Sequence, residues 1–286
     1  MADESGVTIG ELWTQTTGVI GARHEARWLC EVATALDGQD FLLNLDERAT
    51  DRMVAHLDSM VARYRAGEPL QYVLGRWSFR RVDLAVDRRV LIPRPETELV
   101  AEVAIELARE VEPPRSVADM GTGSGAIGLS LAAELPLEGT TVWITDLSED
   151  ALAVASANIS GIGRAARNVR AAMGSWFEAL PPGERFDVIV SNPPYVAQGS
   201  PDLEQSVEEW EPVEALLSGT DGLDAIREIV GGATAHLKRG GWLVLEIGAD
   251  QGEAVHALLR EAGYGSVEIR KDLAGRDRIA IGKNSL

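Results

Sequence analysis

From residue 116 onward the chain alternates short apolar runs with helical patterns, and this alternation constrains the fold more than any other feature. The runs at 116–120, 141–145, 168–173, 186–190 and 242–247 read as buried strands, and helix-spaced apolar residues separate them. Parallel strands need long crossovers, and helices covering both faces of the sheet supply them. The alternation therefore predicts an α/β fold, Rossmann-like, with a mostly parallel sheet. Two further runs, 266–270 and 278–281, are joined only through 272–277. They predict an antiparallel pair and bring the sheet to seven strands.

The chain before this region has other periods. In residues 8–75 the apolar positions fall at helical steps, as in Met53, Val54, Leu57, Met60, Val61 and Tyr64, and Gly67 and Pro69 end that helix. Residues 22–36 carry a similar stripe. From 75 to 93 the period becomes two, with Trp77, Phe79, Val82, Leu84 and Val86 alternating with polar residues, which predicts a hairpin. Pro95 suits a first helical residue, and Glu96 and Glu98 complement the dipole of the helix that follows. The expected organisation is a small all-helical domain (1–75), a β-hairpin linker (76–93) and a larger α/β domain (94–286). Residues 199–210 are polar and acidic and read as a loop beside the sheet edge.

Two segments carry chemistry. The first strand ends in Asp119-Met120-Gly121-Thr122-Gly123-Ser124-Gly125 and a helix follows. Glycines at a strand-to-helix turn let backbone approach a ligand closely, and the helix start offers free N–H groups. Asp146 ends the next strand, where an acidic residue holds ribose hydroxyls. A dinucleotide fits this loop, since Gly123-x-Gly125-x-x-Gly128 matches its fingerprint. S-adenosylmethionine fits it as well. The second segment, Asn192-Pro193-Pro194-Tyr195, follows the fourth strand. Its prolines lack N–H donors and fix φ, and Asn192 is pushed toward extended geometry. A stiff peptide with free carbonyls, one amide and one ring suits gripping a planar NH2 group, whereas hydride transfer has no use for it. Ligands of open α/β sheets bind beyond the carboxyl ends of the strands, where all these residues fall.

Charge narrows the partners. Forty-five acidic against 27 basic residues give a net charge of −18, which argues against phosphate-led nucleic-acid binding. The single cysteine, Cys30, cannot form an internal disulfide, so a reducing cytoplasm is expected. Neither a signal or transit pattern nor a membrane-length apolar run is evident, and no His/Cys/Asp cluster has metal-ligand spacing, so no membrane and no metal are expected.

The glycine loop, the ribose Asp and Asn-Pro-Pro-Tyr together resemble class I methyltransferases that modify planar amino or amide nitrogens. With Leu91-Ile92-Pro93-Arg94-Pro95-Glu96-Thr97-Glu98, Gln71-Tyr72-Val73-Leu74-Gly75 and Leu245-Glu246-Ile247-Gly248, the chain resembles more narrowly the release-factor glutamine methyltransferases of the HemK/PrmC type. The resemblance implies methylation of the side-chain amide nitrogen (N5) of the Gly-Gly-Gln glutamine in class 1 peptide chain release factors. The donor it implies is S-adenosylmethionine, with S-adenosyl-L-homocysteine as product. It implies that Gly121, Thr122, Gly123, Ser124 and Gly125 cradle the methionine and ribose parts, that Asp146 holds the ribose, and that Trp176 lies against the adenine. The residue before Trp176, often acidic in the family, is Ser175 here. By the same resemblance the helical domain reads the protein substrate. Arg94 and Glu96 are expected near the active edge with no chemistry assigned.

The mechanism expected from these residues is geometric. The Asn192 side-chain oxygen and the Pro193 carbonyl accept the two N–H bonds of the target amide, while Pro194 stiffens the wall and Tyr195 packs on the flat group. None of the four histidines has a catalytic spacing. The alternatives are an amino-methyltransferase acting on adenine or guanine in DNA or RNA, a binding module without turnover, and an NAD-dependent oxidoreductase.

Overall fold

The computed structural model describes residues 6–200 and 205–285. The chain divides into two compact units, Met1–Gly75 and Arg76–Leu286.

The first unit contains helices α1 (Ile9–Ile20), α2 (Arg23–Thr34), α3 (Gly38–Leu43), α4 (Asp51–Arg65) and α5 (Leu70–Leu74). Its core is one cluster that includes Ile9, Leu12, Leu29, Cys30, Phe41, Leu57, Met60 and Val73. Thr8 caps α1 in a capping box with Glu11. Gly21 closes that helix at φ +82°, a left-handed cap.

The second unit opens with the hairpin β1 (Arg76–Phe79) and β2 (Val82–Ala85), paired antiparallel. The hairpin is part of this unit. Asn158 brackets β2 by accepting from the Ala85 N–H at 2.7 Å and donating to the Ala85 carbonyl at 3.1 Å.

The remaining elements are α6 (Pro95–Arg109), β3 (Arg115–Met120), α7 (Ala126–Glu134), β4 (Thr140–Asp146), α8 (Glu149–Ile162), β5 (Val169–Met173), β6 (Phe186–Ser191), α9 (Gln205–Trp210), α10 (Asp224–His236), β7 (Leu237–Glu246), α11 (Gly252–Glu261), β8 (Tyr264–Lys271) and β9 (Asp277–Asn284). The seven-stranded sheet runs β5-β4-β3-β6-β7-β9-β8. The first five strands are parallel, and β9 is antiparallel to both β7 and β8. Both β3 and β6 are buried along their whole length, as strands covered on two faces must be. The strand order reverses between β3 and β6, and both active segments leave the sheet there.

Two expectations need correction. The segment expected as a loop over 199–210 contains helix α9; residues 201–204 lie outside the described residues. Strand β7 begins at Leu237, five residues before the expected start. The register shifts between Phe186 and Val188, so Lys238 to Gly241 break the apolar pattern without ending the strand. Among the described residues no helix is long and apolar enough to cross a membrane.

Candidate active site

Strand β3 ends at Met120, and the glycine loop turns from it into α7. Gly121, Gly123 and Gly125 have φ of +67°, +57° and +90°, a region that favours glycine. Every side of the loop is tied down. Its Thr122 N–H donates to the Thr145 carbonyl at 2.9 Å, its Gly123 N–H to Asp146 Oδ2 at 2.9 Å, and Asn158 Nδ2 donates to the Ser124 carbonyl at 2.8 Å. Asp146 thus orders the loop that it faces, and its other oxygen accepts from the Ser148 N–H at 2.9 Å.

Asp119, the first residue of the motif, is almost wholly buried. Its Oδ2 accepts from Thr122 Oγ1 at 2.5 Å and from the Gly128 N–H at 2.8 Å, while its Oδ1 has no partner. Burial pushes this carboxyl up to about 6, with Thr122 and Gly128 pulling the other way.

A cavity of about 450 Å³ opens along this edge. Its walls include the whole glycine loop except Gly125, together with Asp119, Asp146, Trp176, Asn192 and Pro194. Leu147, 72% exposed, adds an apolar surface beside Asp146. Residues 89–91, Pro93 and Thr97 line another part of the wall, with Pro212, Glu214 and Ala215. Buried Glu211 ties these last two segments together, accepting from the Ile92 N–H at 2.9 Å and from Arg94 at 2.5 Å.

Trp176 has φ +39°, strained for a residue with a side chain. It lines the cavity, packs against the main core cluster and sits over Gly121, where a Cβ would meet its ring at 3.4 Å.

Asn192 directs its Nδ2 to Thr97 Oγ1 at 3.2 Å. Among the described residues no donor reaches Asn192 Oδ1 or the Pro193 carbonyl. Tyr195 packs its ring on the core cluster and donates its hydroxyl to Glu246 Oε1 at 3.1 Å. Burial first and the Glu246 charge second push its phenol well above the ordinary range.

The sequence-predicted residues Gly121 to Ser124, Asp146, Trp176, Asn192 and Pro194 therefore meet at one cavity. Gly125 serves as the cap of α7, Pro193 is a buried residue whose carbonyl has no donor among the described residues, and Tyr195 is held by the interior. Arg94 and Glu96 pair with Glu211 and Arg276. Sequence reasoning missed Asp119, Thr97, Glu211 and Glu246. Asp119 was legible as the acidic residue that opens the glycine motif, and Thr97 and Glu246 as the polar members of two otherwise apolar or charged motifs.

Comparison with known proteins identifies the family. Residues 15–75 match the family model of the PrmC N-terminal domain, and residues 101–208 match the methyltransferase small domain. The chain is 47% identical to the release factor glutamine methyltransferase of Xylella fastidiosa (strain Temecula1) over 225 residues, 79% of this chain and 80% of that protein. It is 43% identical to that of Bordetella pertussis over 260 residues, 91% of this chain and 94% of that protein. A methyltransferase from Pyrococcus furiosus, 20% identical, shares the fold, with a TM-score of 0.53 over 80% of this chain and 100% of that one.

Proposed function

The chain belongs to the family of release factor glutamine methyltransferases, and we propose how its own residues carry out that reaction. It methylates the glutamine of a peptide chain release factor. We assign the target to the glutamine of the Gly-Gly-Gln motif, its N5 as the acceptor and S-adenosylmethionine as the donor. When bound, S-adenosylmethionine supplies an electrophilic methyl group on a sulfonium and is released as S-adenosyl-L-homocysteine.

The residues present fit that donor. The positive-φ glycines keep side chains out of the cavity, and its volume suits a ligand of this size. Asp146 reaches the cavity with lone pairs to spare for a ribose diol. The unpartnered Oδ1 of Asp119 gives the wall a negative charge that a cationic ligand would offset. Trp176 and Leu147 supply apolar surface for a base.

An amide nitrogen is a weak nucleophile because its lone pair is delocalised into the carbonyl. The Asn192 Oδ1 and the Pro193 carbonyl accept its two N–H bonds and set the direction of the nitrogen. The same two acceptors stabilise the positive charge that grows on that nitrogen as it reacts. Fixed geometry of this kind is worth up to ~7–11 kcal/mol in favourable systems. Neither acceptor is a base, so the surplus proton goes to water once the nitrogen has become strongly acidic.

One observation carries this reading: Asn192, its Oδ1 without a donor among the described residues, shares a cavity with the glycine loop and Asp146. We assign residues 1–75 to recognition of the release factor, on the match to the PrmC N-terminal domain, residues 76–93 to the linker and 94–286 to catalysis. We assign the activity to the cytoplasm, on the single Cys30, which cannot form an internal disulfide. The test is methyl transfer from labelled S-adenosylmethionine to an unmethylated release factor, beside a variant factor with its Gly-Gly-Gln glutamine replaced. Label on that glutamine by mass mapping, and none on the variant factor, is the expected result. Label on RNA or DNA amines with none on the factor would sink the reading.

A further inference from the structure

Asn192 and Tyr195 are joined through the protein interior by one hydrogen-bonded chain. Asn192 Nδ2 donates to Thr97 Oγ1 at 3.2 Å, and Thr97 Oγ1 donates to Glu246 Oε2 at 2.7 Å. Tyr195 donates its hydroxyl to Glu246 Oε1 at 3.1 Å. Arg278 donates to the Ile247 carbonyl at 3.0 Å and reaches the Tyr195 hydroxyl at 3.5 Å. Glu246 and Thr97 are 1% and 4% exposed. Three elements meet here: the first turn of α6, the end of β7 and the segment after β6.

The directions of these bonds follow from what each group can do. A carboxylate only accepts, and a hydroxyl has one proton. Thr97 gives its proton to Glu246, so towards Asn192 it offers only lone pairs. Asn192 must then point its NH2 at Thr97. Turned by half a revolution, the amide would set Oδ1 against Thr97 Oγ1 with no proton between them, and present its NH2 to the cavity. A donor there would meet the N–H bonds of a substrate amide head on.

We propose that Thr97 and Glu246 are positioning residues that fix the hydrogen-bond polarity of this site: Glu246 takes the Thr97 proton, Thr97 takes an Asn192 N–H, and Asn192 Oδ1 is thereby held as an acceptor for the substrate amide. The same carboxylate takes the Tyr195 proton and locks that ring beside the wall. The inference rests on the glutamine-amide reading above. Burial, with a smaller push from Glu96, raises the Glu246 carboxyl above its ordinary range, while the Thr97 hydroxyl, the Arg278 charge and the Tyr195 hydroxyl pull it down towards the carboxylate. Two O–H donors aimed at its two oxygens give the carboxylate form its geometry.

A purely structural tie between α6 and β7 would make the same contacts, so the test separates the two roles. Full-length parent, Thr97→Val, Thr97→Ser and Glu246→Gln are assayed for methyl transfer to an unmethylated release factor. For each, kcat, both KM values, S-adenosyl-L-homocysteine affinity and thermal midpoint are measured. Thr97→Val keeps the shape and removes the oxygen, and its kcat should fall roughly 10- to 100-fold, the scale seen for groups that orient a functional ligand. Its KM values and homocysteine affinity should stay within about threefold of the parent. Thr97→Ser, which restores the hydroxyl, should recover kcat to within about threefold. Glu246→Gln should lose kcat on the Thr97→Val scale, because its amide can donate where only acceptance keeps the polarity. Should Thr97→Val fail to fold, Thr97→Ala removes the same oxygen. A folded variant lacking that oxygen with near-parent kcat overturns the inference, as does Thr97→Ser falling as far as Thr97→Val. A parent inactive on release factor yet able to bind the homocysteine overturns the underlying reading and this inference with it.

Discussion

Replacing Gly128 by alanine tests whether the glycine loop is held by contact between α7 and the sheet. Gly128 lies in the first turn of α7 with its N–H on Asp119 Oδ2 at 2.8 Å. A Cβ there would overlap the Ile144 Cγ2 on β4 and sit 3.1 Å from Asp119 Oδ2 and 3.3 Å from Asp119 Cβ. Neither strand can yield without disturbing the parallel ladder that joins β4 to fully buried β3, so α7 must move outward. Overpacking costs ~1–3 kcal/mol. Loosening the hydrogen bond to a charged acceptor adds ~1.5–3 kcal/mol. Alanine returns ~0.8–1 kcal/mol of helix propensity. The net is a loss of about 2–5 kcal/mol, or roughly 4–20 °C in midpoint for a unit of this size. S-adenosyl-L-homocysteine should bind more weakly as well, because Asp119 and the loop shift together. Urea unfolding followed by fluorescence, with calorimetric titration of the homocysteine, measures both. Gly231→Ala in α10 is the control: nothing lies within 4 Å of its added Cβ, so it should be neutral or stabilising by up to ~1 kcal/mol. A Gly128→Ala protein within ~0.5 kcal/mol of the parent would refute the packing argument.

Other outcomes follow from the same geometry. Asn192→Ala should lower kcat by ~100-fold or more, the scale of losing one oriented transition-state contact, with homocysteine affinity nearly unchanged in calorimetry; Asp146→Ala should mainly weaken that affinity. Asp119 is raised to about 6 by burial, so its charge is present above that pH and lost below it, and a ligand cation would itself lower this value. Binding of S-adenosyl-L-homocysteine, whose one cation is its ammonium group, should therefore strengthen from pH 5 to pH 7.5, and Asp119→Asn should flatten the profile. Glu211→Ala strands the buried Ile92 N–H and leaves the half-exposed Arg94 without its partner. It should cost about 2–3 kcal/mol in urea unfolding, discounted because water can reach Arg94.

The seven-strand sheet was legible in the sequence because its central strands β3 and β6 are buried on both faces and so read as plain apolar runs. The limits of β7 were not, since Lys238 to Gly241 stay in the strand through a register shift that no pattern of period two announces. Helix α9 was hidden for a related reason. Its sequence, Gln-Ser-Val-Glu-Glu-Trp, is mostly polar, and part of its tertiary anchoring is Trp210 under Arg88, whose guanidinium carbon is 4.7 Å from the ring centroid. Such a contact joins residues 122 positions apart and leaves no local period.

The candidate site divides the same way. Gly121 to Gly125, Asp146 and Asn192 could be found because each sits at a strand end, where backbone topology alone brings them to one edge. Arg94 and Glu96 drew attention through their charge, yet both are committed to Glu211 and Arg276. The residue of that motif which reaches Asn192 is the uncharged Thr97. Finding it requires the direction of every hydrogen bond between Asn192 and Glu246, and direction is a property of the closed network rather than of any member. A threonine can donate or accept, and an asparagine can present either end. Only the buried carboxylate has a single role, and it lies 149 residues from Thr97 in sequence. The acceptor character of Asn192, on which the proposed glutamine recognition turns, is therefore set through Thr97 by a residue distant in sequence that makes no hydrogen bond to Asn192 itself.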